Sequence, residues 1–300
     1  MAVGAISPDD FAAGGTIVRE QTSLWADGWR RLQRNRLALA STIYLGLLIL
    51  VALVALKWTP ADPNAVGLLD TYSGPTAHNL LGADHLGRDL LSRLMVGSQI
   101  SLVVGIGTQI IVVFVGVVLG LVSGYFRGWV DNVLSLIINI FYGVPDLLVA
   151  MILVTLLGPG ITNIIVAIAV TRWMDMARLV RGQALSLRER EFIEAAKASG
   201  ARPSKIVFGH LLPNSMGPII VQATIGIPSA ILFEAFLSYL ALGVKPPTPS
   251  WGSMAQEGVQ AIRLAPHIVL APAIALSVTL LAFNFLGDGL RDAFDPRQKR

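Results

Sequence analysis

Residues 194–214, EAAKASGARPSKIVFGHLLPN, stand between two long apolar runs and resemble neither. The stretch begins with a small-residue helix former, Glu194-Ala195-Ala196, is broken by Gly200 and Pro203, and turns apolar again towards Leu211 and Leu212. A charged segment with its own turn, tethered on both sides to runs of membrane-spanning length, must project into water. Arg178, Arg181, Arg188, Arg190, Lys197, Arg202 and Lys205 lie on or beside it. An excess of Lys and Arg marks the cytoplasmic face of a membrane protein.

The rest of the chain has the composition this reading requires. Of 300 residues 54% are apolar and only 14% charged, with a mean hydropathy of +0.65, against roughly 25% charged in soluble domains. A spanning helix needs about 20 apolar residues at a rise of about 1.5 Å each. Six runs qualify: 37–56, 102–122, 133–157, 161–179, 218–242 and 268–286. The expected fold is therefore an all-α integral membrane protein of six transmembrane helices. It has an N-terminal tail over 1–36, a membrane body over 37–290, a cytoplasmic loop over 180–214 and a C-terminal tail over 291–300. Threaded with the N-terminus inside, eighteen Lys and Arg fall on or near the cytoplasmic side and five outside, so both termini are expected in the cytoplasm. The net charge of +4 would suit a nucleic-acid binder, but the cations sit in loops and tails between spans, so the signal is one of topology. With no cysteine, neither a disulfide framework nor a thiolate metal site is available. Met1 to Gln21 carries Asp9 and Asp10 and no short apolar core, and the first apolar run is long enough to remain as an anchor.

Inside the spans several residues stand out. Gly116, Gly120 and Gly124 recur every four positions and line one helix face for close packing. Pro145 and Pro228 are expected to kink their helices. Asp146, Arg172, Asp175 and Glu234 are ionisable residues in apolar runs, where charge is costly and functional roles concentrate. Arg172 and Asp175, three apart, can pair on one helix face. These four either line a translocation path or satisfy one another between helices. In the loop, Ser186 is placed to cap a helix carrying Glu189, Glu191 and Glu194 near its positive end. Gly200 and Pro203 end that helix, and Lys205 to Leu211 begins the next. The result is a short docking helix showing Phe192, Ile193, Ala195 and Ala196, with Gly200 serving a turn or a close approach.

Glu194-Ala195-Ala196, Gly200 and His210-Leu211-Leu212-Pro213, in this order and spacing, resemble the EAA loop of importer-type ABC permeases, with His210 where isoleucine is usual. Three further blocks resemble the C-type permease of the dipeptide and oligopeptide importers. They are the run from His78 to Arg93 (HNLLGADHLGRDLLSR), Pro246 to Gly252 (PPTPSWG) and Asn284 to Asp292 (NFLGDGLRD). Ser98 and Gln99 depart from the alanine and arginine usual after Gly97. The resemblance covers roughly 25–297.

It implies a type I importer permease whose 180–214 loop grips an ATPase subunit through Glu191, Glu194, Ala195, Ala196, Gly200, Leu212 and Pro213. The implied partners are a second homologous permease, two ATP-binding subunits, an external solute-binding protein, the bilayer and a peptide substrate, with no nucleic acid. The implied location is the bacterial inner membrane. No phosphate-binding GxxxxGK[ST] loop and no HExxH pair occurs. ATP and Mg²⁺ are thus expected in the partner subunits, with no cofactor on this chain and no enzymatic role. The outer candidates are Asp84, Gly87, Arg88, Asp89, Pro247 and Trp251. His78, Asp84, His85 and Asp89 have metal-ligand chemistry, yet Asp84, Gly87, Arg88 and Asp89 equally cap and turn a short outer helix. The proline run either meets a binding protein or closes the bundle. A nickel or metal-chelate importer of the same permease type, and a stand-alone secondary transporter, are the alternatives.

Overall fold

In lipid every backbone N–H and C=O must find a partner inside its own segment, which leaves apolar runs of this length no choice but helix. The computed structural model describes residues 30 and 32–294; Arg31, most of the N-terminal tail and the last six residues, with the readings that fall on them, lie outside the described residues. Among the described residues the named elements are all helical. Helix α1, Arg36–Val54, is capped by the Asn35 carboxamide oxygen, which accepts from the Leu37 and Ala38 amides. Helix α2, Leu90–Phe126, is capped by Asp89. Helices α3, Gly128–Tyr142, and α4, Asp146–Leu157, meet at an 87° bend. Helix α5 is Ile161–Arg188, and α6 is Glu191–Ala198. Helix α7, Pro203–Ile206, passes through a π-helical turn, Val207–Leu211, into α8, Leu212–Tyr239. Helices α9, Trp251–Val259, and α10, His267–Phe294, complete the described chain.

Four helical stretches (α1, α2, α7 through α8, and α10) are long and apolar enough to cross a membrane, and the bent α3–α4 pair makes a fifth if it counts as one span. The expected 133–157 span is therefore two helices. Pro145 has no amide hydrogen to donate and disfavours helical geometry at Val144, so it stands at the N-cap of α4. Helix α2 starts twelve residues earlier than its apolar run, because Asp89 caps it and its first turns bury Ser92, Arg93, Ser98 and Ser101. Helix α5 runs on to Arg188 through Arg172, Asp175, Arg178 and Arg181, so Ser186 lies inside it and caps nothing. Helix α8 continues through Pro218 and Pro228.

Contacts between helices fix their directions. A Cβ on Gly107 would meet Ile165 at 3.0 Å, on Gly116 Met176 at 2.6 Å, on Gly120 the Ala177 carbonyl at 2.6 Å, and on Gly124 Ala184 at 2.5 Å. Both sequences advance together, so α2 and α5 run parallel, pressed together along the glycine stripe as its spacing anticipates. Helix α8 runs against α2, with Gly105 at Ile231 and Gly226 at Gln109. Helix α10 runs against α8, with Gly217 at Phe294 and Gly287 at Ile225. It also runs against α1, where Gly289 meets Ala38 and the Tyr44 and Thr279 hydroxyls lie 3.0 Å apart.

Candidate coupling surface and membrane charges

At one end of the bundle α5 stops at Arg188, and α6 leaves it as a separate helix of eight residues. Ile193 is fully buried among Val180, Ala184, Ile206 and Leu211, and pins α6 to α5, α7 and the π-helical turn that leads into α8. Ala196, Ala201 and Leu212 pack against the same cluster. The opposite surface carries exposed Glu191, Glu194 and Ala195, with Phe192 43% exposed. Helix α6 closes in a Schellman motif. The Ala201 amide donates to Ala196 O at 3.0 Å and the Gly200 amide to Lys197 O at 2.9 Å. Gly200 sits at φ +78° with nothing within 4 Å of a built Cβ, so within the chain it serves the turn and not a close approach. Pro203 then takes the first turn of α7. Pro213 is exposed, and the His210 ring lies 6.4 Å from that of Phe192. Among the described residues Glu191 and Glu194 form no ion pair; the i,i+3 spacing of Glu194 and Lys197 yields none.

The charges of the membrane body pair between helices. Asp146, at the start of α4, holds the Arg172 guanidinium at 3.3 Å, and that guanidinium lies 4.2 Å over the Phe233 ring. Asp175 accepts from the Tyr142 hydroxyl at the end of α3. The bend at Pro145 brings Tyr142 and Asp146 to α5, so Arg172 and Asp175 each turn to a neighbour and not to each other. Both line a cavity with Thr108, Gln109, Gln222 and Ser229. Glu234 is not among them. It is fully buried between α8 and α2, accepting from Ser238 Oγ at 2.6 Å and Ser101 Oγ at 3.2 Å.

At the far end of α2 the outer candidates close on one another. Asp84 accepts from Arg88 Nε at 2.6 Å and lies 3.3 Å from Arg93 Nε, while both guanidinium groups reach Glu257 on α9, at 2.8 and 3.1 Å. Arg88 and Arg93 are almost wholly buried. Asp84, His85 and Glu257 come close enough to hold a metal ion. Two guanidinium groups already occupy both carboxylates, however, and oppose a further cation, so the group is an ion-pair lock. His78 is exposed and outside it. Gly87 turns at φ +70°. Asp89 accepts from the Ser92 amide at 2.8 Å, so the capping role stands, but on the long α2 and not on a short outer helix. Trp251 is buried and donates from Nε1 to Leu94 O at 3.2 Å. The Pro247 carbonyl is 3.5 Å from Arg93 Nη1. The proline loop thus touches the start of α2, while Pro246 and Pro247 keep exposed surface. Glu257 escaped the sequence reading, because a lone glutamate in a polar stretch signals nothing until α9 folds over Arg88 and Arg93.

Residues 116–300 match the family described as the inner membrane component of binding-protein-dependent transport systems, and 23–79 match the N-terminal transmembrane domain of oligopeptide transport permease C. The oligopeptide transport system permease protein OppC of Bacillus subtilis is 39% identical over 95% of this chain and 93% of its own length. The dipeptide transport system permease protein DppC of the same organism is 42% identical over 95% of this chain and 89% of its own. A glutathione transport system permease protein, GsiD of Escherichia coli, is 41% identical over 92% of this chain and 91% of its own. A helical membrane body and this likeness along nearly the whole chain lead to one conclusion: the protein belongs to the inner membrane components of binding-protein-dependent transport systems, and is a permease subunit of an ABC importer, not an enzyme.

Proposed function

We propose that this chain forms half of the path by which short peptides enter the cytoplasm, in a complex with a second permease, two ATPase subunits and an external binding protein. The observation that carries the substrate class is the likeness over more than nine-tenths of the chain to permeases named for oligopeptides and dipeptides. The relative named for glutathione fits the same class of small peptidic solutes.

Six crossings account for the helix directions. Helix α2 ends where α3 begins, yet α5 runs parallel to α2, so the chain between them must return across the bilayer once. The bent α3–α4 pair is that return, and α5 is the crossing that its charges disguise. Helices α1, α8 and α10 supply the remaining three. The asymmetry of Lys and Arg places α6 in the cytoplasm. There its exposed Glu191, Glu194 and Ala195 offer a docking face to an ATPase subunit, while Ile193, Ala196 and Leu212 bind α6 to α5 and α8. Movement of α6 on ATP binding and hydrolysis is thereby passed to two spanning helices, which opens the path alternately to each side.

ATP-driven uptake by the complete reconstituted importer tests this reading. Uptake of di- and tripeptides that stops without ATP supports it. Uptake of nickel with no response to peptides, or peptide uptake driven by an ion gradient alone, contradicts it.

A further inference from the structure

Midway along the 37-residue α2, Thr108 and Gln109 face Gln222, Gly226 and Ser229 of α8 and Arg172 of α5 around a cavity of ≈ 60 Å³. Its polar groups are poorly provided for. Thr108 is fully buried, and its hydroxyl has no hydrogen-bond partner. Gln109 is only 7% exposed, and its carboxamide bonds to no described residue. The Gln222 and Ser229 side chains likewise bond to none of them, and Arg172 Nε is buried without a partner. Buried polar groups are paired in the great majority of cases, and leaving one unpaired is costly. Two such atoms, Thr108 Oγ1 and Arg172 Nε, beside the uncommitted side chains of Gln109, Gln222 and Ser229 around one cavity, indicate groups meant for something that passes.

The charged residues of the cavity are already engaged. Arg172 is held by Asp146, and Asp175 by Tyr142. What remains on offer is neutral: two carboxamides and two hydroxyls, each able to donate and to accept. That complement matches the N–H and C=O of a peptide main chain and is indifferent to its side chains. Gly226 makes room for the Gln109 carboxamide, since a Cβ there would stand 2.3 Å from Gln109 Oε1. At ≈ 60 Å³ the space has room for ordered water but is too small to enclose a peptide. These residues therefore form one wall of a path that opens when the permease halves move.

We propose that Thr108, Gln109, Gln222 and Ser229 form a main-chain-reading wall, which hydrogen-bonds the amide groups of the transported peptide and leaves its side chains unread. This rests on the peptide reading above. The complete importer is reconstituted in liposomes, and initial uptake of trialanine is compared with that of trialanine methylated at both amide nitrogens. The same binding protein serves every permease variant, so its own preference cancels between them. The Gln109→Leu/Gln222→Leu double variant is expected to narrow the wild-type preference for the unmethylated peptide roughly tenfold, as the loss of two hydrogen bonds implies. Ser229→Ala, a small change at a half-buried site, should narrow it roughly threefold and serves if the double variant does not assemble. An unchanged preference in an assembled, transporting variant overturns the wall alone. A wild-type importer that moves another solute and ignores trialanine overturns the peptide reading together with it.

Discussion

Arg88 shows how a residue can be read correctly for place and incompletely for purpose. The GRD turn is legible from its glycine and its flanking aspartates, and Asp89 does cap a helix. That Arg88 and Arg93 both meet Glu257, more than 160 residues away in sequence, is not legible, since only the folding of α9 onto α2 joins them. The same holds for Arg172 and Asp175, whose i,i+3 spacing suggests a mutual pair but whose partners come from α4 and α3. Two outcomes follow at this scale. Arg88→Leu leaves Asp84 without its closest partner in a site under 6% exposed, and should cost about 3–5 kcal/mol, the usual penalty for breaking a buried pair from one side. Thermal unfolding of the purified complex in detergent checks it, and a shift no larger than that of an exposed control would refute the lock. Arg88→Lys should recover only part of the loss, because a single ammonium cannot reach Asp84 and Glu257 as a guanidinium does.

Among the elements, α2 and α5 show why periodicity was informative in one and misleading in the other. Glycines every fourth residue lie on one helix face, and the close approach they allow is the contact that α5 makes. Hydropathy alone, however, ended α5 at 179, because from Arg172 onward it alternates basic and apolar residues. Its backbone continues because the charges find partners and the apolar face stays buried. Pro145 was legible as an interruption, but its 87° consequence was not, since a kink and a break share one local cause and differ only in what the next helix packs against. Gly120→Val would drive a side chain against the Ala177 carbonyl, 2.6 Å from a built Cβ, whereas Gly46→Val on α1 meets nothing within 4 Å. The first should lower stability by about 1–3 kcal/mol through overpacking, and the second should leave it nearly unchanged. Equal unfolding temperatures for the two variants would contradict the α2–α5 seam.

For the whole molecule, the charge asymmetry of the sequence carries the expected orientation, and the structure adds a scale to it. Asn64 lies in the segment that packs on the start of α2, through Ala61 on Ser92 and Pro63 on Arg93. Ser204 shares a groove with Val122 and Phe126 near its end. The 37 residues of α2 extend about 55 Å at about 1.5 Å per residue, well beyond the roughly 30 Å hydrocarbon core. Single cysteines at Asn64 and Ser204, in a chain with none of its own, should react with an impermeant thiol reagent only at 64 in intact cells. Labelling of 204 there would reverse the orientation. Coupling to the ATPase subunits is proposed to run through α6, and substitutions there separate its turn from its exposed face. Gly200→Asn should be tolerated, because asparagine adopts positive φ. Gly200→Val should disturb the turn at about 1–3 kcal/mol, and Glu194→Lys should reverse charge on the docking face without touching buried Ile193. The decisive measurement is retention of the ATPase subunits by the affinity-purified complex for these three variants, alongside wild type. Near-normal retention is expected for Gly200→Asn and severalfold loss for both Gly200→Val and Glu194→Lys, with the permease still folded; full retention in all three would rule out coupling through α6.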